Sequence, residues 1–367
     1  MSAVAEQPGN TRRVDAFASS RAGDNRQPRA LPPYSREGMR ALTDGELEID
    51  AQTETTQHKV VVVTLRDLLD LELPPREMLL SPWLTTQSLS MIYGWRGTGK
   101  THVALGIANA LASGGAFLNW TAERPVPVLY IDGEMPGAVL QARLAAIVAS
   151  NDREPQEGLL RLITPDLQPD GVMPDLGTRD GQDAIEPEIG DARVIIVDNI
   201  SCMVRSAGKE NDAESWVPVA SWALRQRAHG KAVVFIHHSG KGGQQRGTSK
   251  REDLLDSVLA LRRPSDYQEN EGARFEVHFE KARDLHGQRV DPIEAQLDTS
   301  DDGRQVWAWK NASHAMRDRI IELTDLGMNQ HEIAQELGCN KSTVCRHLKA
   351  AVENGELKPP RRKGMKV

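Results

Sequence analysis

Eight consecutive residues carry the most specific chemistry in this chain: Gly94-Trp95-Arg96-Gly97-Thr98-Gly99-Lys100-Thr101. Their spacing is G-x-x-x-x-G-K-[ST], a phosphate-cradling loop. Glycines let successive backbone N–H groups curl around an anion without a Cβ in the way. A helix N-terminus following the loop favours negative charge. The ammonium of Lys100 suits β- and γ-phosphate oxygens, and the hydroxyl of Thr101 suits Mg²⁺. The ligand implied is a nucleoside triphosphate with Mg²⁺.

Two apolar stretches end in acids. Arg193-Val194-Ile195-Ile196-Val197-Asp198 places a carboxylate where it could hold the water shell of that Mg²⁺. Val128-Leu129-Tyr130-Ile131-Asp132-Gly133-Glu134 supplies two candidates, Asp132 and Glu134, for a base that activates water at the γ-phosphate. A third stretch, Ala232–His238, ends in His237-His238. Adjacent strand residues point to opposite faces, so only one of the pair can line a given site.

Elements must position these groups. The predicted strands are Ser88–Gly94, Val128–Glu134, Val194–Asp198 and Ala232–His238, and the predicted helices are Thr101–Ser113, Gly137–Ser150 and Ala213–Ala228. The alternation calls for an α/β fold with a mostly parallel sheet and helices on both faces. A β-rich closing section follows: Ser257–Leu261, Ala273–Ala282, and a hairpin of Glu294–Asp298 with Gln305–Trp309.

Beyond it the pattern turns helical. Arg317–Leu326, with Ile320, Ile321 and Leu323 inward, then Asn329–Leu337, Gly338 and Lys341–Ala350, form a helix-turn-helix pattern with Asn340 as an N-cap. The last helix offers Lys341, Ser342, Thr343, Arg346, His347 and Lys349 to a DNA groove or to phosphates. Two further segments could face DNA: 203–211, with Arg205 and Lys209, and the Gly-rich basic run 239–251, with Lys241, Arg246, Lys250 and Arg251. The expected division is a disordered tail over 1–56, a nucleotide-binding domain over 57–310, a helix-turn-helix over 311–353, and a basic tail or partial wing over 354–367.

The order of motifs resembles the RecA-like hexameric ATPases, especially the plasmid RepA-type replicative helicases and related AAA family ATPases of mobile elements. DnaB-type helicases are more distant. The resemblance spans about residues 65–297. It implies a RecA-like P-loop core and chooses Glu134, just past the second strand, as the catalytic base. It gives His238 the part of γ-phosphate sensor, the pair being followed by Ser239-Gly240-Lys241-Gly242-Gly243 as in RepA-type members. Phe279-Glu280-Lys281-Ala282-Arg283 matches the Lys-x-Arg of DnaB-type helicases, so Lys281 and Arg283 would reach into a neighbouring subunit's site. It further implies ATP as substrate, a ring homo-oligomer of the hexameric kind, and a replication initiator or loader as partner. The function expected is a DNA-dependent ATPase acting as replicative helicase or translocase. The alternative is an ATP-switched DNA-binding regulator that reads a specific site without unwinding.

Composition narrows the classes. Net charge is -7, but residues 311–367 hold ten Lys/Arg against seven Asp/Glu, so this end is +3 and the rest is -10. A basic end on an acidic body suits a dedicated nucleic-acid module. The three cysteines, Cys202, Cys339 and Cys345, lack CxxC spacing and frame no disulfide set. No apolar run reaches spanning length and Met1–Asn10 has no secretory pattern, so a cytoplasmic protein without membrane contact is expected.

Overall fold

The computed structural model describes residues 60–205, 213–240 and 252–357. Residues up to Pro74 fall in one compact unit and Pro75 onward in another. In the first, Thr64 and Asp67 form a reciprocal capping box that starts helix α1 (Leu65–Asp70).

The second unit runs β1 (Met78–Leu80), β2 (Leu84–Thr85), β3 (Leu89–Gly94), α2 (Lys100–Ser113), β4 (Ala116–Phe117), β5 (Trp120–Thr121), β6 (Val128–Asp132), α3 (Gly137–Ser150) and β7 (Leu160–Ile163). It continues through α4 (Arg179–Ile189), β8 (Val194–Asp198), α5 (Ile200–Met203), α6 (Ala213–Ala228), β9 (Ala232–His238), β10 (Ser257–Arg262) and β11 (Arg274–Ala282). It closes with β12 (Ile293–Thr299), β13 (Gln305–Asn311), α7 (Ala312–Asp325), α8 (Gln330–Glu336) and α9 (Lys341–Glu353).

Nine strands form one sheet in the order β13-β12-β11-β10-β3-β9-β8-β6-β7. From β10 to β7 the neighbours are parallel, whereas β10, β11, β12 and β13 pair antiparallel. This is the expected α/β architecture, a mostly parallel sheet with a β-rich closing section and an all-helical C-terminal region.

The two-residue period of the strands sorts the core. Val128 and Tyr130, Val194 and Ile196, and Val234 and Ile236 point to the side covered by α2 and α3. Leu129 and Ile131, Ile195 and Val197, and Val233 and Phe235 point to the side covered by α4, α5 and α6. Strands buried on both faces are apolar throughout, as observed for β3, β6 and β8. Helix α2 is buried almost all round, which is why its sequence is Ala- and Leu-rich with no polar face.

Some boundaries differ from expectation. The strand expected to run to Glu134 ends at Asp132, so Glu134 lies on a turn beyond β6. Helix α7 starts at Ala312 rather than Arg317, and α9 runs on to Glu353. Ile321 is not in the helix-turn-helix core: that core is Ile320, Ile333, Ala334, Leu337 and Val344, with Met316 and Leu323 packed against it. Asn340 occupies the N-cap position of α9 but its side chain makes no cap bond, whereas Asn329 and Glu332 cap α8 reciprocally. Among the described residues no helix is long and apolar enough to cross a membrane.

Candidate active site and nucleic-acid interface

Strand β3 lies between β10 and β9, and the loop leaving its C-terminal end is the glycine-rich octet. Gly97 and Gly99 have φ of +73° and +95°, a region that favours glycine. Gly94 cannot carry a side chain, since a Cβ there would meet Leu261 O at 2.7 Å. Gly99 precedes α2 and offers no side-chain cap. The first N–H groups of α2 are therefore left for an anion. The Lys100 ammonium folds back over the loop and donates to Gly94 O at 3.0 Å and Trp95 O at 2.9 Å. Burial pushes its pKa down to about 8, against the upward pull of Asp198 and Glu134. These bonds hold the cation at the centre of the loop, where phosphate oxygens could replace the carbonyls.

Beside the loop, β6, β8 and β9 end in the residues picked out by sequence. Asp198 is buried, accepts 2.7 Å from Tyr130 Oη, and hydrogen-bonds the Thr101 hydroxyl. Burial raises its pKa despite both bonds. Asp132 is also buried, and its carboxylate accepts the Met135 N–H at 3.1 Å and the Glu134 N–H at 3.4 Å. Burial lifts its pKa to about 6. Asp132 thus fastens the turn that carries Glu134, while the Glu134 side chain itself is 60% exposed and free to meet a ligand.

Sequence reasoning passed over Asn199. It caps α5, its Oδ1 accepting the Cys202 N–H at 3.2 Å. That bond fixes the amide so that Nδ2 faces the site. Nδ2 donates to Glu134 Oε2 and lies 3.3 Å from His238 Nε2, which accepts when it carries no proton. Glu134 Oε2 and His238 Nε2 are 3.8 Å apart. Burial, then Lys100, hold the His238 pKa below its ordinary value, so the ring is neutral at pH 7. The available signal was the position: a polar residue directly after a strand-ending acid and opening a helix.

Arg96, Lys100, Thr101, Asp132, Glu134, Asp198, Asn199 and His238 line one cleft of about 880 Å³ at the carboxyl ends of the parallel strands. His102, Arg143 and Cys202 line it too, though the motifs did not single them out. His237, on the opposite face of β9, is buried among the second layer of the sheet. A hydroxyl and a carboxylate side by side form a hard oxygen donor pair, which fits Mg²⁺ arriving with a nucleotide. Among the described residues no trio of His, Cys, Asp or Glu could hold a metal on its own.

Lys281 and Arg283 stand elsewhere. Ala282 is level with Ser257, and Ser257 with Ser90, at the start of β3, whereas the phosphate loop follows its end. Lys281 and Arg283 donate to the backbone of Glu252 and Asp253 instead, Arg283 Nη2 lying 2.9 Å from Asp253 O. They cannot serve their own chain's cleft. Lys209, Lys241, Arg246, Lys250 and Arg251 lie outside the described residues. Arg205 donates to Met173 O.

On α9, Lys341, Ser342, Cys345, Arg346 and Lys349 are exposed and share one face at helical spacing. Thr343 and His347 are half-buried at its flanks. Burial, then Arg346 and Arg317, keep the His347 pKa low. The outward face thus carries Lys341, Ser342, Arg346 and Lys349, with Glu353 at its far end 3.7 Å from the Lys349 ammonium, a predominantly cationic surface suited to a phosphate backbone.

A solved structure with a similar course is that of a KaiC-like protein from the hyperthermophilic archaeon Pyrococcus horikoshii OT3. It is 15% identical, with a TM-score of 0.44, over 63% of this chain and 93% of that one. A homeodomain-like domain family matches residues 311–359, the stretch that folds as α7, α8 and α9. A family described as AAA domain matches residues 50–244, more than half of the chain, and takes in the phosphate loop, Glu134, Asp198 and His238. The chain therefore belongs to the AAA domain family of P-loop ATPases and carries a homeodomain-like helix-turn-helix at its C-terminal end.

Proposed function

We propose that this protein hydrolyses ATP at interfaces between its own copies and uses the cycle to move along or unwind DNA, as a RepA-type replicative helicase or translocase of a plasmid or integrated element would. The observation that carries the reading is the convergence of Lys100, Thr101, Asp198, Glu134, Asn199 and His238 on one cleft.

Lys100 and the α2 N-terminus hold the β- and γ-phosphates. Thr101 and Asp198 hold Mg²⁺, which when bound neutralises charge on the phosphate oxygens. Glu134 Oε2 takes the proton of a water as its oxygen bonds to the γ-phosphorus and the bond to the β-bridging oxygen breaks. Asn199 keeps Glu134 oriented toward that water. His238, neutral and beside both, registers whether a γ-phosphate is present and passes this to the basic segment that follows β9. Lys281 and Arg283 complete a neighbouring subunit's cleft, where fixed cations can be worth roughly a thousandfold or more in rate. The α9 face, with Lys341, Ser342 and Arg346 foremost, targets the assembly to DNA.

Strand displacement on a forked duplex with ATP and Mg²⁺, with Lys100→Ala as control, tests the reading. Unwinding by the parent and none by the control supports it. ATP hydrolysis without unwinding overturns the helicase and favours the regulator that reads a site through α9.

A further inference from the structure

The stretch 263–275, the connection from β10 together with the first two residues of β11, touches both ends of this protein's chemistry. Toward the cleft, Gly272 and Ala273 form part of its lining. A Cβ on Gly99 would lie 3.2 Å from the Phe275 ring and 3.6 Å from Ala273 Cβ, so the phosphate loop rests on this stretch. Arg263 Nη2 comes within 3.5 Å of where a Cβ on Gly97 would stand. The guanidinium meanwhile sits 4.4 Å over the Tyr267 ring, and Tyr267 Oη donates to Gly272 O at 3.0 Å.

Toward the helix-turn-helix, the same stretch grips two of its parts. Ser265 Oγ donates to Leu337 O, in the turn before α9. Asp266 accepts from Arg319 of α7 at 2.7 Å and from Arg274 at 3.0 Å. Arg274 is 7% exposed and also donates to Glu294 at 2.9 Å and Glu271 at 2.6 Å. Arg319 in turn reaches Glu294. Pulling one member out of such a largely buried set, centred on Arg274, leaves a poorly compensated charge, so the stretch and α7 are held together.

We propose that residues 263–275 couple the cleft to the helix-turn-helix, so that nucleotide and DNA change each other's affinity, with Arg263 as the reader. Its guanidinium has two alternative partners within reach: the Tyr267 face when the phosphate loop is empty, and phosphate oxygens when it is filled. Exchanging one for the other releases or tightens Tyr267 and with it Gly272. The ion-pair set around Arg274 transmits the change to Arg319 and the turn at Leu337. A ligand shifts such an equilibrium only through a difference in its contacts between the two states, which Arg263 supplies. The inference rests on the reading that the cleft binds nucleotide and α9 binds DNA.

The test uses the full chain. The Kd of a non-hydrolysable ATP analogue with Mg²⁺ is measured with and without a random-sequence duplex at low salt, and the duplex Kd with and without the analogue. The expected result is a shift of about fivefold or more, equal in both directions, since linkage is reciprocal. Arg263→Ala, an exposed site, and Arg319→Gln should each reduce the shift below about twofold while leaving the duplex Kd without nucleotide unchanged within about the same margin. Arg263→Ala guards against a folding defect in the half-buried Arg319→Gln variant. Absence of a shift in the parent, or a full shift in Arg263→Ala, overturns the coupling. Failure of the parent to bind one of the two ligands overturns the functional reading itself.

Discussion

In the proposed cycle Lys100 acts as a cation, and burial pushes its pKa down to about 8 in the free protein. Bound phosphates favour the ammonium, so the bound-state pKa is higher than the free one. The sign follows: nucleotide affinity is flat below pH 8 and falls as pH rises above it. Between pH 7 and pH 9 the Kd for an ATP analogue should weaken roughly tenfold, one protonation equilibrium being displaced by one unit. A flat profile over that range, measured by fluorescence titration, would show that the ammonium is not what holds the phosphates. Asp132 gives the opposite test. Its folded pKa of about 6 exceeds the ordinary 3.8, so the native state binds the extra proton and stability declines as pH climbs through that window. Asp132→Asn removes the buried charge but keeps an acceptor for the Met135 N–H. It should raise stability at pH 7 by about 1–2 kcal/mol and flatten the pH 4–6 slope in urea unfolding. A variant less stable at both ends would mean that the carboxylate's N–H bonds outweigh its desolvation.

Elements explain which of these residues a reader of the sequence can find. Strands β3, β6, β8 and β9 are buried on both faces and read as unbroken apolar runs, so the groups at their ends, Gly94, Asp132, Asp198 and His238, stand out. Asn199 does not, because its part depends on capping α5, a helix of four residues with no periodicity to detect. Helix α4 was hidden by its composition: it is acidic, holds Pro187, and buries only Gly181, Gln182, Ile185 and Ile189. Strand β7 is four residues long and only half-buried, at the sheet edge, so alternation never builds up. Gly106 is another element-level constraint that a propensity argument would misjudge. Ala in mid-helix is favoured over Gly by about 1 kcal/mol. Here, however, a Cβ would stand 2.2 Å from the Phe117 ring, which packs in turn against Trp120 and Trp307. Steric overlap wins: Gly106→Ala should destabilise the core by about 1–3 kcal/mol in chemical denaturation, and a stabilised variant would refute that packing. Capping gives a milder case. Asn329→Ala breaks the reciprocal cap of α8 and should cost about 1 kcal/mol, read as a loss of helix-turn-helix protection in hydrogen exchange.

At the scale of the whole molecule, the position of Lys281 and Arg283 demands a second copy if they act on phosphate at all. They lie at the end of the sheet opposite the phosphate loop, so no side-chain rotation brings them to their own cleft. A heterologous contact, in which one copy's β11 end meets the next copy's loop, closes into a ring or runs on as a filament. Subunit mixing separates this arrangement from a merely structural role. Lys100→Ala subunits have intact fingers and a dead loop. Arg283→Ala subunits have an intact loop and no finger. Each alone is inactive on this view. When the two are mixed, an interface works only where an Arg283→Ala loop faces a Lys100→Ala finger. Random arrangement in equal amounts makes about one interface in four complete, so ATPase activity should recover to about a quarter of the parent's if interfaces fire independently. Recovery must also grow with total protein concentration, because it depends on assembly. Activity that stays at the sum of the two separate variants would leave Lys281 and Arg283 as surface braces for residues 252–256 and remove the interface from the mechanism.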